Sequence, residues 1–167
     1  LSVSTDTVPT TRNQTNFDAL FASVDFTVTA FRMTNVREFP SIGTPPNIVN
    51  VPNYGQATSS QVQGQSDAPN IEITLNYTPD VWASGTDLGD LVGDGTPHSF
   101  RFALLNSEPD GVEGYASSAT GIGSVQNSYW YWVGKVEALL VNPQLTDANT
   151  ATLTISVQSD FYGAYTT

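Results

Sequence analysis

At 167 residues, with 39% apolar and 13% charged residues, the chain suffices for one domain with a proper core and is too apolar and aromatic to be disordered. Five Lys and Arg against sixteen Asp and Glu leave a formal charge of −11, which excludes the basic face that a nucleic-acid binder or an anionic-membrane anchor requires. Cysteine is absent, excluding disulfides and thiol chemistry, and no apolar run approaches the ~20 residues that span a bilayer.

Polar positions are taken by Thr, Ser, Asn and Gln rather than by the Lys and Glu of helix surfaces, and 13 glycines and 10 prolines punctuate the chain. Such a composition favours strands joined by turns. Residues 1–16 are Ser, Thr, Asn and Pro-rich and read as an extended N-terminal arm that orders only against a partner. The opening LSVSTDTVPT has neither the basic nor the apolar region of a signal peptide.

From residue 17 to 160 the pattern is that of a single β domain. Phe17, Leu20 and Phe21, spaced i, i+3 and i+4, predict one helical turn leading into a strand. Residues 24–33 alternate, with Val24, Phe26, Val28 and Ala30 on one face and Asp25, Thr27 and Thr29 on the other. The stretch 40–70, with five prolines and three glycines, reads as a polar two-stranded excursion or a loop. Its short β-like pieces are Ile48–Val51 and Ala57–Gln63, with Asn53-Tyr54-Gly55 able to turn it.

Residues 70–78 alternate again, with Ile71, Ile73, Leu75 and Tyr77 inward and Glu72, Thr74 and Asn76 outward. Leu88, Leu91 and Val92 then predict a short helix, capped by Thr86 or Asp87 and stopped by Gly93 or Gly95. A strand follows at 98–105, with Phe100, Phe102 and Leu104 on one side, and residues 106–127 form a Gly and Ser-rich loop. SYWYWVGKVEALLV at 128–141 reads as a strand bulky on both faces, and ATLTISVQ at 151–158 as a last strand with Leu153, Ile155 and Val157 inward. Residues 161–167 are a C-terminal tail. These elements predict a mainly β fold, a single-domain β-sandwich or partly open barrel with one short flanking α-helix.

No constellation able to carry catalysis emerges. His98 is the only histidine, and no nucleophile elbow accompanies it, so it reads as structural. The glutamates Glu38, Glu72, Glu108, Glu113 and Glu137 could serve a glycosidase only if two faced each other across a cleft; alternation reads them as solvent-facing. Asp87, Asp90 and Asp94 miss the order of a calcium loop and read as solvated acids around a helix. The run Tyr129-Trp130-Tyr131-Trp132 reads as a subunit contact, as core or as a sugar platform, and Tyr54 as a further contact residue.

The order of features (Ile71–Thr78, Trp82, a Leu-rich helix at Asp87–Val92, His98–Leu105, then Trp132-Val133-Gly134-Lys135-Val136 and the Thr-rich Ala151–Gln158) resembles the tail tube proteins of long-tailed bacteriophages and related phage-derived particles. The resemblance implies a non-enzymatic, cofactor-free virion subunit, assembled in the host cytoplasm. Six copies would close a ring, with strands joining between subunits into a β-barrel, and rings would stack into a conduit for DNA ejection. Implied partners are further copies of the chain, tape-measure, tail-terminator and tail-tip proteins; DNA would pass without specific binding. Asp25, Thr27, Thr29, Glu72, Thr74 and Asn76 are then candidates for the lumen wall. The rival readings are a carbohydrate-binding β-sandwich and a head–tail joining or tail-terminator protein of similar fold.

Overall fold

A computed structural model describes residues 1–23, 30–32, 35–43, 48–52, 54–55, 57–58, 60–64, 70–78, 88–104 and 128–163. The expected strand face of Asp25, Thr27 and Thr29, the loop 106–127 and residues 164–167 lie outside them. The fold is mainly β, a curled open half-barrel rather than a sandwich. In chain order the elements are β1 (Ser2–Ser4), α1 (Gln14–Ser23), β2 (Ala30–Arg32), β3 (Val36–Glu38), β4 (Ile48–Val51), β5 (Ser60–Gln63) and β6 (Asn70–Asn76). There follow α2 (Leu88–Leu91), β7 (His98–Leu104), β8 (Ser128–Asn142), β9 (Thr150–Val157) and β10 (Tyr162–Gly163).

The main sheet has the order β2-β1-β7-β8-β9-β6-β3, with β10 joining β8. Its two edge strands are neighbours in sequence, and this forces the curl. Arg32 and Val36 are four residues apart, so they lie within about 14 Å, whereas a flat sheet would part strands six places removed by about 29 Å.

The inner face of the curl carries the main core: Leu1, Val3, Ile71, Ile73, Leu75, Phe100, Trp132, Val136, Leu153, Ile155 and Val157, closed at one end by Leu88 and Leu91 of α2. The expected alternation holds in β6 and β9, where these apolar residues are buried and their neighbours are not. Tyr77, expected inward, is exposed, because the ladder ends at Asn76. The short helix forms as α2, and Gly93 (φ 72°) and Gly95 (φ 73°) end it in the left-handed conformation that suits glycine.

The first residues are not a free arm. Ser2–Ser4 lie between β2 and β7, paired to both, with Val3 fully buried; two apolar residues at alternate positions suffice to seat a strand on this core. Nor is the C-terminal tail loose at its start, for Tyr162 pairs with Tyr131 and Gly163 with Trp130. Gly163 has φ 116°, and a Cβ there would collide with the Tyr129 carbonyl, so only glycine admits this approach.

The helical turn expected at Phe17 extends to ten residues. Asn13 caps it, its side-chain oxygen accepting the Asn16 amide at 2.8 Å. Phe17 and Phe21 pack on the outer face of β8, against Tyr129, Tyr131 and Val133.

Strand β8 is buried on both faces because core and helix take alternate residues. A bulge between Val136 and Ala138 then switches its parity, returning Leu139 to the core side. Gly134 lies in this strand between β7 and β9, and a Cβ there would sit 2.7 Å from Ile155 Cγ2 and 2.9 Å from the Ser156 carbonyl. Gly134→Ala should therefore cost about 1–3 kcal/mol through overpacking, read from denaturant midpoints at unchanged m-value. A neutral substitution would show that the neighbouring strands yield.

Candidate functional site

The outer face of the sheet divides into a covered and a bare half. Over β7 and the first part of β8, helix α1 covers it. Over β6, β9 and the second part of β8 no helix or strand of the described residues lies on it. Register builds this bare surface in rows: Glu72–Thr154–Ala138, Thr74–Thr152–Leu140 and Asn76–Thr150–Asn142. Asn70 and Ser156 extend it, beside Lys135. Alternation thus put Glu72, Thr74 and Asn76 on one face, and the structure brings them together there. It adds Thr152, Thr154 and Ser156, outward by the alternation of the last strand, and Thr150, with which that strand begins one residue earlier than expected.

Cross-strand bonds order the surface. Asn142 Nδ2 donates to Thr152 Oγ1 at 2.9 Å, and the Ser156 hydroxyl donates to the Glu137 carboxylate. Hydroxyls, amides and the carboxylates Glu72 and Glu137 dominate, with Lys135 the cation among its described residues. Such a surface is wetted, and it offers a polyanion little to hold.

Two apolar projections stand at opposite ends of this surface. Strands β4 and β5 pair as the expected excursion, Ile48 with Gln63 through Val51 with Ser60. Every residue in both strands is exposed. Val49, Val51 and Val62 share one hairpin face, and Tyr54 at the tip is fully exposed. A two-stranded hairpin is marginal in water by itself, and among the described residues no helix or strand covers this one. It connects at the Asn70 end of β6, whereas the β8–β9 turn, with Leu145 fully exposed and Val141 exposed just before it, lies at the Asn76 end.

The aromatic run departs from its expected role as a contact. Tyr129, Tyr131 and Trp132 are buried within the chain, the first two under α1 and Trp132 in the main core; Trp130 is half-buried against Phe102. The run therefore presents no open platform for stacking sugars. Tyr54 remains available for contact.

Beneath α1 lies a polar cluster that sequence reasoning missed, because Arg101 reads as an outward residue of an alternating strand. Arg101 is 1% exposed, its guanidinium 4.7 Å from the Phe21 ring centroid and 5.7 Å from that of Tyr129. Burial raises the Asp18 carboxyl above its ordinary value, while a hydrogen bond with Tyr131 and the charge of Arg101 pull it down. Burial, with Asp18 beside it, pushes the Tyr131 hydroxyl upward.

His98 is buried and meets Asp94, Nε2 to Oδ2, at 2.9 Å. For Asp94 burial raises the carboxyl, but hydrogen bonds from His98 and the Thr96 amide outweigh it and the net shift is downward. The pair ties the turn after α2 to β7. Among the described residues no three His, Asp or Glu side chains group as metal ligands. Glu72 and Glu137 share the bare face on either side of β9, and Glu137 accepts the Ser156 hydroxyl. A shallow groove of about 880 Å³ runs between the start of α1 and residues 160–162, and Arg12 on its rim donates to the Gln158 carbonyl at 3.4 Å.

No family model matches the chain, and no curated protein does. Among the described residues no helix is long and apolar enough to cross a membrane.

Proposed function

We propose that the chain is a structural virion subunit that builds stacked hexameric rings, the tube of a phage tail through which DNA is ejected. The observation that carries the reading is the bare half of the outer face: a three-stranded, hydroxyl- and carboxylate-bearing surface with little positive charge. Glu72, Thr74, Asn76, Thr150, Thr152 and Thr154 are its candidate lumen residues. Six copies would bring on the order of −66 charges to a ring, six times the −11 of one chain, so a passing polyanion meets no trap.

The two apolar projections support stacking. They differ from each other and sit at opposite ends of the sheet, and two unlike surfaces on one molecule propagate head to tail rather than closing a two-fold dimer. Among the described residues nothing pairs with the outer edges of β2 and β3, which could join neighbours within a ring and so remove the hazard of unpaired edges. Tape-measure, tail-terminator and tail-tip proteins are the partners such a tube requires.

Negative-stain microscopy of concentrated purified protein tests the reading. Open-ended tubes with a central bore are expected. Single rings that never stack would instead favour a joining or terminator protein, and a lone monomer at every concentration would end the proposal.

A further inference from the structure

Resting on the self-association proposed above, we infer that β1 is exchanged between copies: in the assembly, Ser2–Ser4 of one subunit fills the groove between β2 and β7 of the next. That groove accepts one short segment through backbone pairing on both sides. Ser2 faces Arg32 and Arg101, Val3 faces Phe31 and Phe100, and Ser4 faces Ala30 and Ser99. Leu1 and Val3 add their side chains to the main core. None of these contacts depends on the strand belonging to the same chain. A second copy carries the identical strand and fits in the identical register, so exchange conserves every contact and concentration decides the outcome.

The tether has the slack to permit it. Ser4 lies opposite Ser99, two residues along β7 from Arg101, which pairs with Tyr131; Phe17 of α1 stacks on Tyr131 at 5.7 Å between ring centroids. Two strand spacings and one helix-on-sheet distance therefore separate the ends of the tether, about 15–20 Å. The chain from Ser4 to Gln14 reaches about 33 Å when extended, roughly twice that need. Thr7, Thr10, Thr11, Arg12 and Asn13 along it are exposed, and Pro9 stiffens it toward an extended course.

The hold on β1 is weak for a strand at this place in a sheet. Its outer face carries Ser2 and Ser4, buried beside Ser99 and Arg101, and the Ser99 hydroxyl has no hydrogen-bond partner. β1 pairs over three residues and sets Leu1 and Val3 in the core, where β6 pairs over seven and sets Ile71, Ile73 and Leu75 there, so opening the groove costs less here than at the longer strands.

The absence of cysteine makes the test clean. In the full chain, Ser4→Cys with Ser99→Cys places two thiols on directly opposed residues, and oxidation of dilute monomer should close an intrachain bridge. So locked, the protein should fail to form tubes until reductant is added. The control pair Leu104→Cys with Ser128→Cys, also directly opposed but away from both the groove and the candidate wall, should assemble whether oxidised or reduced. A second measurement needs no locked monomer: Ser4→Cys chains and Ser99→Cys chains, mixed in equal amounts, assembled and then oxidised, should yield a disulfide-linked heterodimer. Tubes formed equally by the locked protein, or no heterodimer from the assembled mixture, would overturn the exchange and leave the tube reading standing. Unmodified protein that stays monomeric throughout would overturn both.

Discussion

Trp132→Ala should destabilise the fold by about 3–5 kcal/mol, while Trp130→Ala, two positions away, should cost far less. Trp132 is 1% exposed, stacks on Phe100 at 5.6 Å between centroids and meets Phe161 at 5.5 Å. Its removal would open a cavity at the middle of the sheet, where β7 and β9 flank β8 and cannot close in. Trp130 is half-buried and touches the edge of the same core through Phe102. For a domain of this size a loss of 3–5 kcal/mol lowers Tm by about 6–20 °C. Trp132→Phe should recover most of that, because the buried indole N–H makes no hydrogen bond that would be lost. Equal losses at 130 and 132 in thermal melts would contradict the burial described for β8.

Arg101→Ala is expected to be comparably severe, about 2–5 kcal/mol, chiefly through the cavity left by a long buried side chain. The side chain fills the space between Phe21 and Tyr129 and supplies the positive charge beside Asp18. Truncation would leave a gap under α1 and a carboxylate without its cation. Arg101→Met, which keeps the volume, should lose less, and adding Asp18→Leu should restore part of the remainder.

The effect of pH separates packing from charge. Burial holds the folded Asp18 carboxyl above its ordinary 3.8, so its ionised form opposes folding, and that penalty fades as pH falls through the raised value. Without Arg101 the value rises further. The deficit of Arg101→Met relative to wild type should therefore shrink as pH is lowered from neutral toward about 5. A deficit that stays constant with pH would assign the whole effect to packing.

Much of the sheet was legible because its strands obey one rule. Ile71, Ile73 and Leu75, like Leu153, Ile155 and Val157, alternate with polar neighbours, and the structure buries them as alternation requires. Strand β8 resisted the same reading for two physical reasons. Helix α1 covers its outer face, so Tyr129 and Tyr131 are buried as Trp132 is, and the bulge at Glu137 breaks the period of two. Strand β1 was illegible since three residues of Ser-Val-Ser carry no period, and only the shape of the groove makes them a strand. Of the candidate wall, Glu72, Thr74 and Asn76 followed from local alternation. Their continuity with Thr150, Thr152 and Thr154 depends on pairing across more than seventy residues, which no local pattern encodes.

The pairing of β1 also sets a timetable for the growing chain. Its partner β2 emerges early, but Ser4 must wait 95 residues for Ser99. At about 5–20 residues per second of synthesis, that delay is on the order of 5–20 s. During this interval the β7 side of the first strand stands without its companion, and Leu1 and Val3 wait for the core that later strands complete.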